Sequence, residues 1–167
     1  RGLFQEKKEF NADISKWKVG KVVNMACAFY NAKAFNSDLS AWDVSSVTNM
    51  YAMFMHASKF NSDISQWVVG IVISMYDMFY GASNFNVDLN AWNVSTVTDM
   101  TGMFKGAPSR ILCGSSWIAF WKKCHIEKIK GYSCGMFGAT IADGPCKTCS
   151  PGTYLDPPPT GLGCSFC

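Results

Sequence analysis

The sequence predicts a β-rich solenoid of 25-residue coils, followed by a small disulfide-rich module at the C-terminus. Two observations predict this architecture. Tryptophan recurs every 25 residues, at Trp17, Trp42, Trp67 and Trp92. Seven of the eight cysteines follow residue 112. A fixed period of this length is typical of solenoids, in which each coil contacts only its neighbours. Crowded cysteines in a short segment are typical of a disulfide framework.

Four copies of the repeat follow one another without a gap, and we call them coil 1 (10–34), coil 2 (35–59), coil 3 (60–84) and coil 4 (85–109). We assign residues 1–107 to the repeat region, with residues 1–9 as the end of a preceding coil. On this interpretation the natural protein is longer at its N-terminus. The positions that stay apolar in every copy predict the core. In coil 1 these positions are Phe10, Ile14, Trp17, Val19, Val22, Met25, Phe29 and Ala32.

Local patterns within the repeat predict two short elements. The W-x-V segment alternates, which predicts a short strand with Trp and Val on one face. The M-x-x-[MA]-F-x-x-A segment has helical spacing over about two turns, which favours a short helix or 3₁₀ turn. A single coil cannot bury its apolar side, so stacked coils must share one core.

The segment L-x-x-W-x-V-S-S-V-T-N-M-x-x-M-F-x-x-A resembles the BspA-like leucine-rich repeat in its Trp- and Met-rich form. Residues 44–57 and 94–107 match the pattern closely, whereas coils 1 and 3 carry Gly20 and Gly70 in place of Ser. The resemblance implies a leucine-rich-repeat-like fold. It also implies a surface protein of the bacterial, protist or algal type, whose repeats bind or adhere and hold no catalytic residues.

Two polar positions also repeat, Asn11 and Asp13 and their counterparts in the later coils. We interpret them as Asx turns that satisfy backbone N–H groups at a corner. A calcium-binding ladder is the alternative. It is less favoured because Ca²⁺ requires 6–8 oxygen ligands and each coil offers one carboxylate.

The residues that flank each tryptophan vary between coils, as expected of a solenoid surface that binds a partner. An ordinary solvated surface explains them equally well. This predicted outward face comprises Lys16, Lys18, Ala41, Asp43, Gln66, Val68, Ala91 and Asn93. Asn93-Val94-Ser95 is the sole N-x-[ST] sequon in the sequence, so Asn93 is a candidate glycosylation site of a secreted protein.

Residues 108–142 predict a degenerate capping repeat with an insertion. Trp117 keeps the 25-residue spacing, but Arg110 replaces the expected Phe. The insertion includes FWKKCHIEKIK, which favours a short helix. We expect Cys113, Cys124 and Cys134 to form disulfides that hold this repeat together.

Residues 143–167 contain a C-x2-C-x14-C-x2-C pattern. The pattern C-x-x-C-x-x-G-x-Y resembles the ephrin-receptor-like or TNF-receptor-like cysteine-rich module, which implies disulfides, with Cys149–Cys164 as the favoured pair. Zinc binding is the alternative. The four cysteines of the pattern are Cys146, Cys149, Cys164 and Cys167. Cys27, alone in the repeats, is interpreted as a free, buried thiol.

Composition and motifs exclude several functions. The net charge of +3 comes from scattered lysines, which is unlike a nucleic-acid-binding stripe. No apolar run is long enough to span a bilayer. Neither His56 nor His125 belongs to a recognisable catalytic motif, so we expect no enzymatic activity and no cofactor.

We therefore expect an extracellular structural or adhesive protein that works through protein–protein contacts. Self-association end to end into a fibre is its favoured form, because contacts that do not close produce filaments. The alternative from another class is the ligand-binding ectodomain of a cell-surface receptor. A zinc-dependent intracellular scaffold is the third possibility.

Overall fold

The computed structural model describes residues 2–112, 114–126, 139–141, 153–155 and 164–166. Regular elements within them are few and lie after the four coils. In chain order they are β1 (Arg110–Leu112), α1 (Ser115–Trp121), a π-helix (Lys122–Ile126), β2 (Ala139–Ile141), β3 (Thr153–Leu155) and β4 (Cys164–Phe166). Strand β1 pairs in parallel with β2, and β3 pairs antiparallel with β4.

Consecutive coils lie side by side in register. Residues 25 apart form parallel bridges, from Asn24 to Asn49, Asn49 to Ser74, and Ser74 to Asp99. The backbone N–H groups of Met25, Cys27 and Phe29 donate to coil 2 carbonyls at 2.8–2.9 Å. The same bonds recur between coils 2 and 3 and between coils 3 and 4. The coils are therefore joined by backbone hydrogen bonds as well as by side-chain packing.

Neither the predicted strand nor the predicted helix forms in the described coils. After each tryptophan the chain is extended without a strand partner, and the Met-Phe segment is a run of hydrogen-bonded turns. Cys27 and Asn31 have φ values of 56° in the left-handed region, which a helix does not tolerate. Because alternate N–H groups donate to the next coil, they are not available for the i−4 bonds of a helix.

The predicted core positions are buried from coil 2 onwards, except for Ala107, which is partly buried. Trp67 is 4% exposed and Trp92 is 1% exposed. The ring of Phe54 stacks between Phe29, at a centroid distance of 5.4 Å, and Phe79, at 5.8 Å. Trp17, which no described coil covers on its N-terminal side, is 45% exposed. A cavity of about 490 Å³ opens beside it.

A tryptophan hydrogen bond repeats along the core. The indole N–H of Trp42, Trp67, Trp92 and Trp117 donates to the carbonyl oxygen 28 residues earlier, at 2.9–3.0 Å. The four acceptors are Ile14, Leu39, Ile64 and Leu89. Each bond satisfies a buried indole donor that would otherwise be costly to desolvate. No described residue accepts a hydrogen bond from the indole of Trp17.

Residues after coil 4 cover its exposed side. Leu112, Trp117 and Phe120 are each at most 2% exposed and belong to the same apolar cluster as the four coils. The helix predicted at 120–130 instead begins at Ser115 and continues as a π-helix to Ile126. Starting earlier brings Trp117 and Phe120 onto one face of the helix, towards coil 4.

The structure describes the side chains of two cysteines. Cys27 is a free thiol, as predicted, although it is only partly buried. Cys124 is disulfide-bonded. The predictions for Cys113, Cys134, Cys146, Cys149 and Cys167 lie outside the described residues, and Cys164 is described only as backbone in β4. The favoured Cys149–Cys164 pair and the zinc alternative therefore stay predictions.

Candidate functional site

All eight residues of the predicted outward face are exposed. Their chemistry changes from coil to coil. Lys16 and Lys18 make the face basic in coil 1, Asp43 makes it acidic in coil 2, and coil 3 offers Val68. A role in partner binding remains a prediction for this face.

Coil 3 extends this face with an apolar surface, which we call the coil 3 patch. It consists of Val68, Ile71 and Ile73, which are 65%, 47% and 54% exposed. Ile73 donates its N–H to Thr48 at 2.8 Å and accepts from Thr98 at 2.9 Å, so its backbone is paired while its side chain is not covered. Val68 belongs to the predicted outward face, whereas both isoleucines lie outside that prediction.

The repeated aspartates make the hydrogen bonds of Asx turns, which confirms that interpretation for them. It is wrong for the repeated asparagines, because the Oδ1 of Asn11 accepts the backbone N–H of Asn36 in the next coil at 2.7 Å, and the later coils repeat this bond. Asp13, Asp38 and Asp63 each accept a hydrogen bond from the backbone N–H two residues later, at 2.8–2.9 Å. The bonds from Ser40 and Ser65 lower the pKa of Asp38 and Asp63, with the backbone donor contributing most. Within the described residues, no group of three or more His, Cys, Asp or Glu could hold a metal ion.

A second surface is formed by side chains from the Met-Phe segments of coils 1 to 3. We call it the tyrosine surface and define it by Tyr30, Tyr51, His56, Tyr76 and Tyr80. The rings of Tyr51 and Tyr76 stack at 5.2 Å with an interplanar angle of 8°. His56 packs edge-on between Tyr30, at 6.4 Å, and Tyr80, at 5.1 Å.

Charged and nucleophilic groups border the tyrosine surface. The ammonium group of Lys105 lies 5.4 Å from the centre of the Tyr80 ring, within cation–π range. Burial raises the pKa of the Asp77 carboxyl group, and the nearby Lys105 opposes this effect. Burial also raises the pKa of the Cys27 thiol, which lies close to Tyr51.

The tyrosine surface was not predicted from the sequence. His56 belongs to no recognisable catalytic motif in the sequence, and in the structure it lies between the rings of two tyrosines. A signal for it exists in the repeat alignment. Tyr51 and Tyr76 share one repeat position, and Tyr30 and Tyr80 share the position four residues later. Comparing outward positions for shared aromatic character, rather than for variation, finds this cluster.

Comparison with known proteins gives one match. The model of a protein family described as "Mycoplasma protein of unknown function, DUF285" matches residues 1–117. The curated proteins contain no match, and neither do the solved structures. The family match is consistent with the resemblance to BspA-like surface repeats, but it does not reach the cysteine-rich module. Among the described residues, no helix has both the length and the apolar character needed to cross a bilayer.

Proposed function

The chain belongs to the DUF285 family, and from that premise we propose that it is an extracellular structural or adhesive protein whose coils form a leucine-rich-repeat-like solenoid. It acts through protein–protein contacts made by the tyrosine surface. The repeat character of the family supports a surface location. The finer roles of adhesion and fibre formation rest on the physical arguments below.

The observation that carries this proposal is the exposed stack of Tyr51 on Tyr76. Tyr51 is 43% exposed, yet its ring is held against its neighbour at 5.2 Å. Tyrosine is enriched in protein interfaces and among the residues that dominate binding energy. A side chain that is already ordered loses less conformational entropy on binding. The stack is therefore suited to bind a partner with little reorganisation.

A mixture of polar groups around the rings adds specificity. Asp77 and Lys105 carry opposite charges beside Tyr76 and Tyr80, and His56 lies between two rings. Charged groups at the margin of an aromatic centre select partners of complementary charge more than they add affinity. We infer that the aromatic centre supplies affinity and that the charged margin limits which partners bind.

Self-association end to end is the favoured form of this function. Neighbouring coils pair through parallel backbone hydrogen bonds between residues 25 apart, and the end coil of a solenoid can make the same kind of bond to a second copy. Contacts of this kind that do not close into a ring extend into a filament.

The alternative function is a ligand-binding receptor ectodomain. The restriction of the tyrosine surface to coils 1–3 favours it, because a compact cluster of rings resembles a paratope more than an extended adhesive strip. In that case the tyrosines bind a soluble ligand, and the protein does not bind itself.

A bead-aggregation assay separates these functions. Beads coated with the full chain should clump, and Tyr51→Ser combined with Tyr76→Ser should weaken the binding between chains at least tenfold, the loss expected when about 1.4 kcal/mol of binding energy is removed. The matched control is Gln66→Ser combined with Ala91→Ser on the outward face, which should clump as the unmodified chain does.

Two outcomes contradict the adhesive proposal. If beads carrying the unmodified chain stay dispersed at every protein density, the protein does not adhere to itself, and the receptor alternative is favoured. If the double tyrosine variant clumps normally while the outward-face control does not, the predicted outward face is the contact surface instead.

A further inference from the structure

The coil 3 patch differs from the same positions in the adjacent coils. The residues aligned with Val68, Ile71 and Ile73 are Asp43, Ser46 and Thr48 in coil 2. In coil 4 they are Asn93, Thr96 and Thr98. Both neighbours therefore present polar side chains where coil 3 presents three β-branched apolar ones. Three exposed apolar side chains within six residues, with polar residues at the same positions of both adjacent coils, make this surface a candidate for being covered.

The side chain of Asn93 leans over this patch. Its Oδ1 accepts a hydrogen bond from the backbone N–H of Ser95 at 3.1 Å, which fixes the orientation of the amide. Its Nδ2 lies 3.6 Å from the point where a Cβ atom on Gly70 would be. Gly70 sits between Val68 and Ile71 in the sequence, and its missing side chain leaves the space into which Nδ2 points.

The side chain at the same repeat position two coils earlier approaches a glycine in the same way, so this approach is a property of the fold. Asp43 shares the repeat position of Asn93, and its Oδ2 lies 2.8 Å from the corresponding point on Gly20. Its Oδ1 likewise accepts a hydrogen bond from the backbone N–H two residues later, at 3.0 Å. At coil 4 the outer atom is an amide nitrogen instead of a carboxylate oxygen. It is exposed, and no described residue accepts a hydrogen bond from it.

We propose that Asn93 carries an N-linked glycan and that its first sugars lie across the coil 3 patch. In the transfer reaction, Nδ2 forms a bond to the anomeric carbon of an N-acetylglucosamine. The bond from that carbon to a lipid-linked pyrophosphate breaks, Nδ2 loses one proton, and the lipid pyrophosphate leaves. The donor is a lipid-pyrophosphate oligosaccharide of the secretory pathway. The inference therefore rests on the extracellular location in the proposed function, but not on the tyrosine surface.

The direction and the distance both fit this arrangement. Coils in a parallel hydrogen-bonded stack lie about 5 Å apart, which is close to the width of one sugar ring. Because Nδ2 faces Gly70 across this spacing, the first sugars lie against coil 3, where Val68 and Ile71 flank that glycine in the sequence. The acetamido methyl and ring C–H groups then cover apolar side chains, and the hydroxyl groups face water. A glycan in this place makes the patch soluble without a protein partner.

The first experiment tests occupancy. The full chain is secreted from a eukaryotic host, and its intact mass is measured before and after treatment with peptide-N-glycosidase. We expect the treated protein to lose a glycan and peptide mapping to show Asn93 converted to Asp. An unmodified Asn93 in the secreted protein overturns the proposal.

The second experiment tests coverage of the patch by retention on a hydrophobic-interaction column. Ser95→Ala removes the sequon but keeps the backbone N–H that orients Asn93, so this variant should be retained longer than the glycosylated chain. Adding Val68→Thr, Ile71→Ser and Ile73→Thr to it should restore the shorter retention. If the glycan is present but its loss leaves retention unchanged, the sugars do not cover the patch.

These results are independent of the bead assay. Failure of the tyrosine variants to reduce clumping contradicts the proposed contact surface and leaves the mass of the glycan at Asn93 unaffected. An unoccupied Asn93 together with tyrosine-dependent clumping contradicts only the glycan.

Discussion

The indole nitrogen of Trp67 donates to the carbonyl oxygen of Leu39 at 3.0 Å, and the same oxygen accepts the backbone N–H of Trp42 at 3.0 Å. One carbonyl thus joins a turn within coil 2 to the side chain of the next coil. The arrangement recurs at Ile14 and Ile64. Because the tryptophans are one repeat length apart, the same carbonyl that closes the turn within one coil also binds the indole of the next coil.

Replacing a stacked tryptophan should cost much more stability than replacing the first one. Trp67→Phe removes an indole hydrogen bond and leaves a small void, for an expected loss of about 2 kcal/mol in the free energy of unfolding. Trp17→Phe should cost less than about 1 kcal/mol, because this side chain is half exposed and its indole has no described acceptor. Urea denaturation of both variants checks this, and equal losses contradict the role of the indole bond.

Two glycines of coil 3 should respond differently to the same substitution. Gly81 has φ = +68°, and a Cβ there would lie 2.9 Å from Cε1 of His56 and closer still to Nδ1. Gly81→Ala should therefore destabilise the fold by about 1–3 kcal/mol. Gly70→Ala should change stability by less than about 0.5 kcal/mol, because its Cβ meets only the Asn93 amide at an ordinary distance. Thermal unfolding compares the two, and equal effects of both substitutions contradict this account.

The hydroxyl group of Ser45 should hold the pKa of Asp43 below its ordinary value. It donates to Oδ1 at 2.6 Å, and this side-chain bond is the largest cause of the lowered pKa. Asp43 therefore adds stability above its unfolded pKa, and this contribution is lost as the pH falls through the lower folded pKa. Ser45→Ala should raise the pKa of Asp43 towards 3.8 in an NMR titration.

Ser65→Ala is the matched comparison for that titration. The backbone N–H of Ser65 is the largest cause of the lowered pKa of Asp63, and the substitution keeps this donor. The pKa of Asp63 should accordingly rise less than that of Asp43. A larger rise at Asp63 would show that the two serines have been given the wrong relative weights.

The Cys27 thiol should react slowly with iodoacetamide in the folded protein. Burial raises its pKa, so a smaller fraction is present as the reactive thiolate at pH 8. We expect its alkylation to be at least about tenfold slower in the folded chain than in guanidinium chloride. Peptide mass spectrometry after timed alkylation isolates this site from the other cysteines. Equal rates in both conditions contradict a protected thiol.

The core could be predicted from the sequence because the period alone places equivalent residues in contact. Phe29, Phe54 and Phe79 stack since each occupies the same point of its coil. The turn conformation of the Met-Phe segment could not be predicted in this way. Its apolar spacing suits a helix, but the direction of each N–H is decided by the neighbouring coil, and a sequence pattern does not contain that information.

The two surfaces show a second limit of sequence reasoning. Variation between copies identified the exposed positions around each tryptophan, and these residues are exposed. The same criterion passed over Ile71, Ile73 and the tyrosines. Their importance comes from adjacency across coils, as in the stack of Tyr51 on Tyr76, which becomes visible only when repeat positions are compared between neighbouring coils.

Hydrogen exchange of the indole N–H groups, followed by NMR, tests the stacked-coil account most directly. The account predicts slow exchange for Trp42, Trp67, Trp92 and Trp117, with a nuclear Overhauser contact from each indole proton to the chain 28 residues earlier. It predicts immediate exchange for Trp17. Uniformly fast exchange of these five indoles, or slow exchange without those contacts, would contradict it.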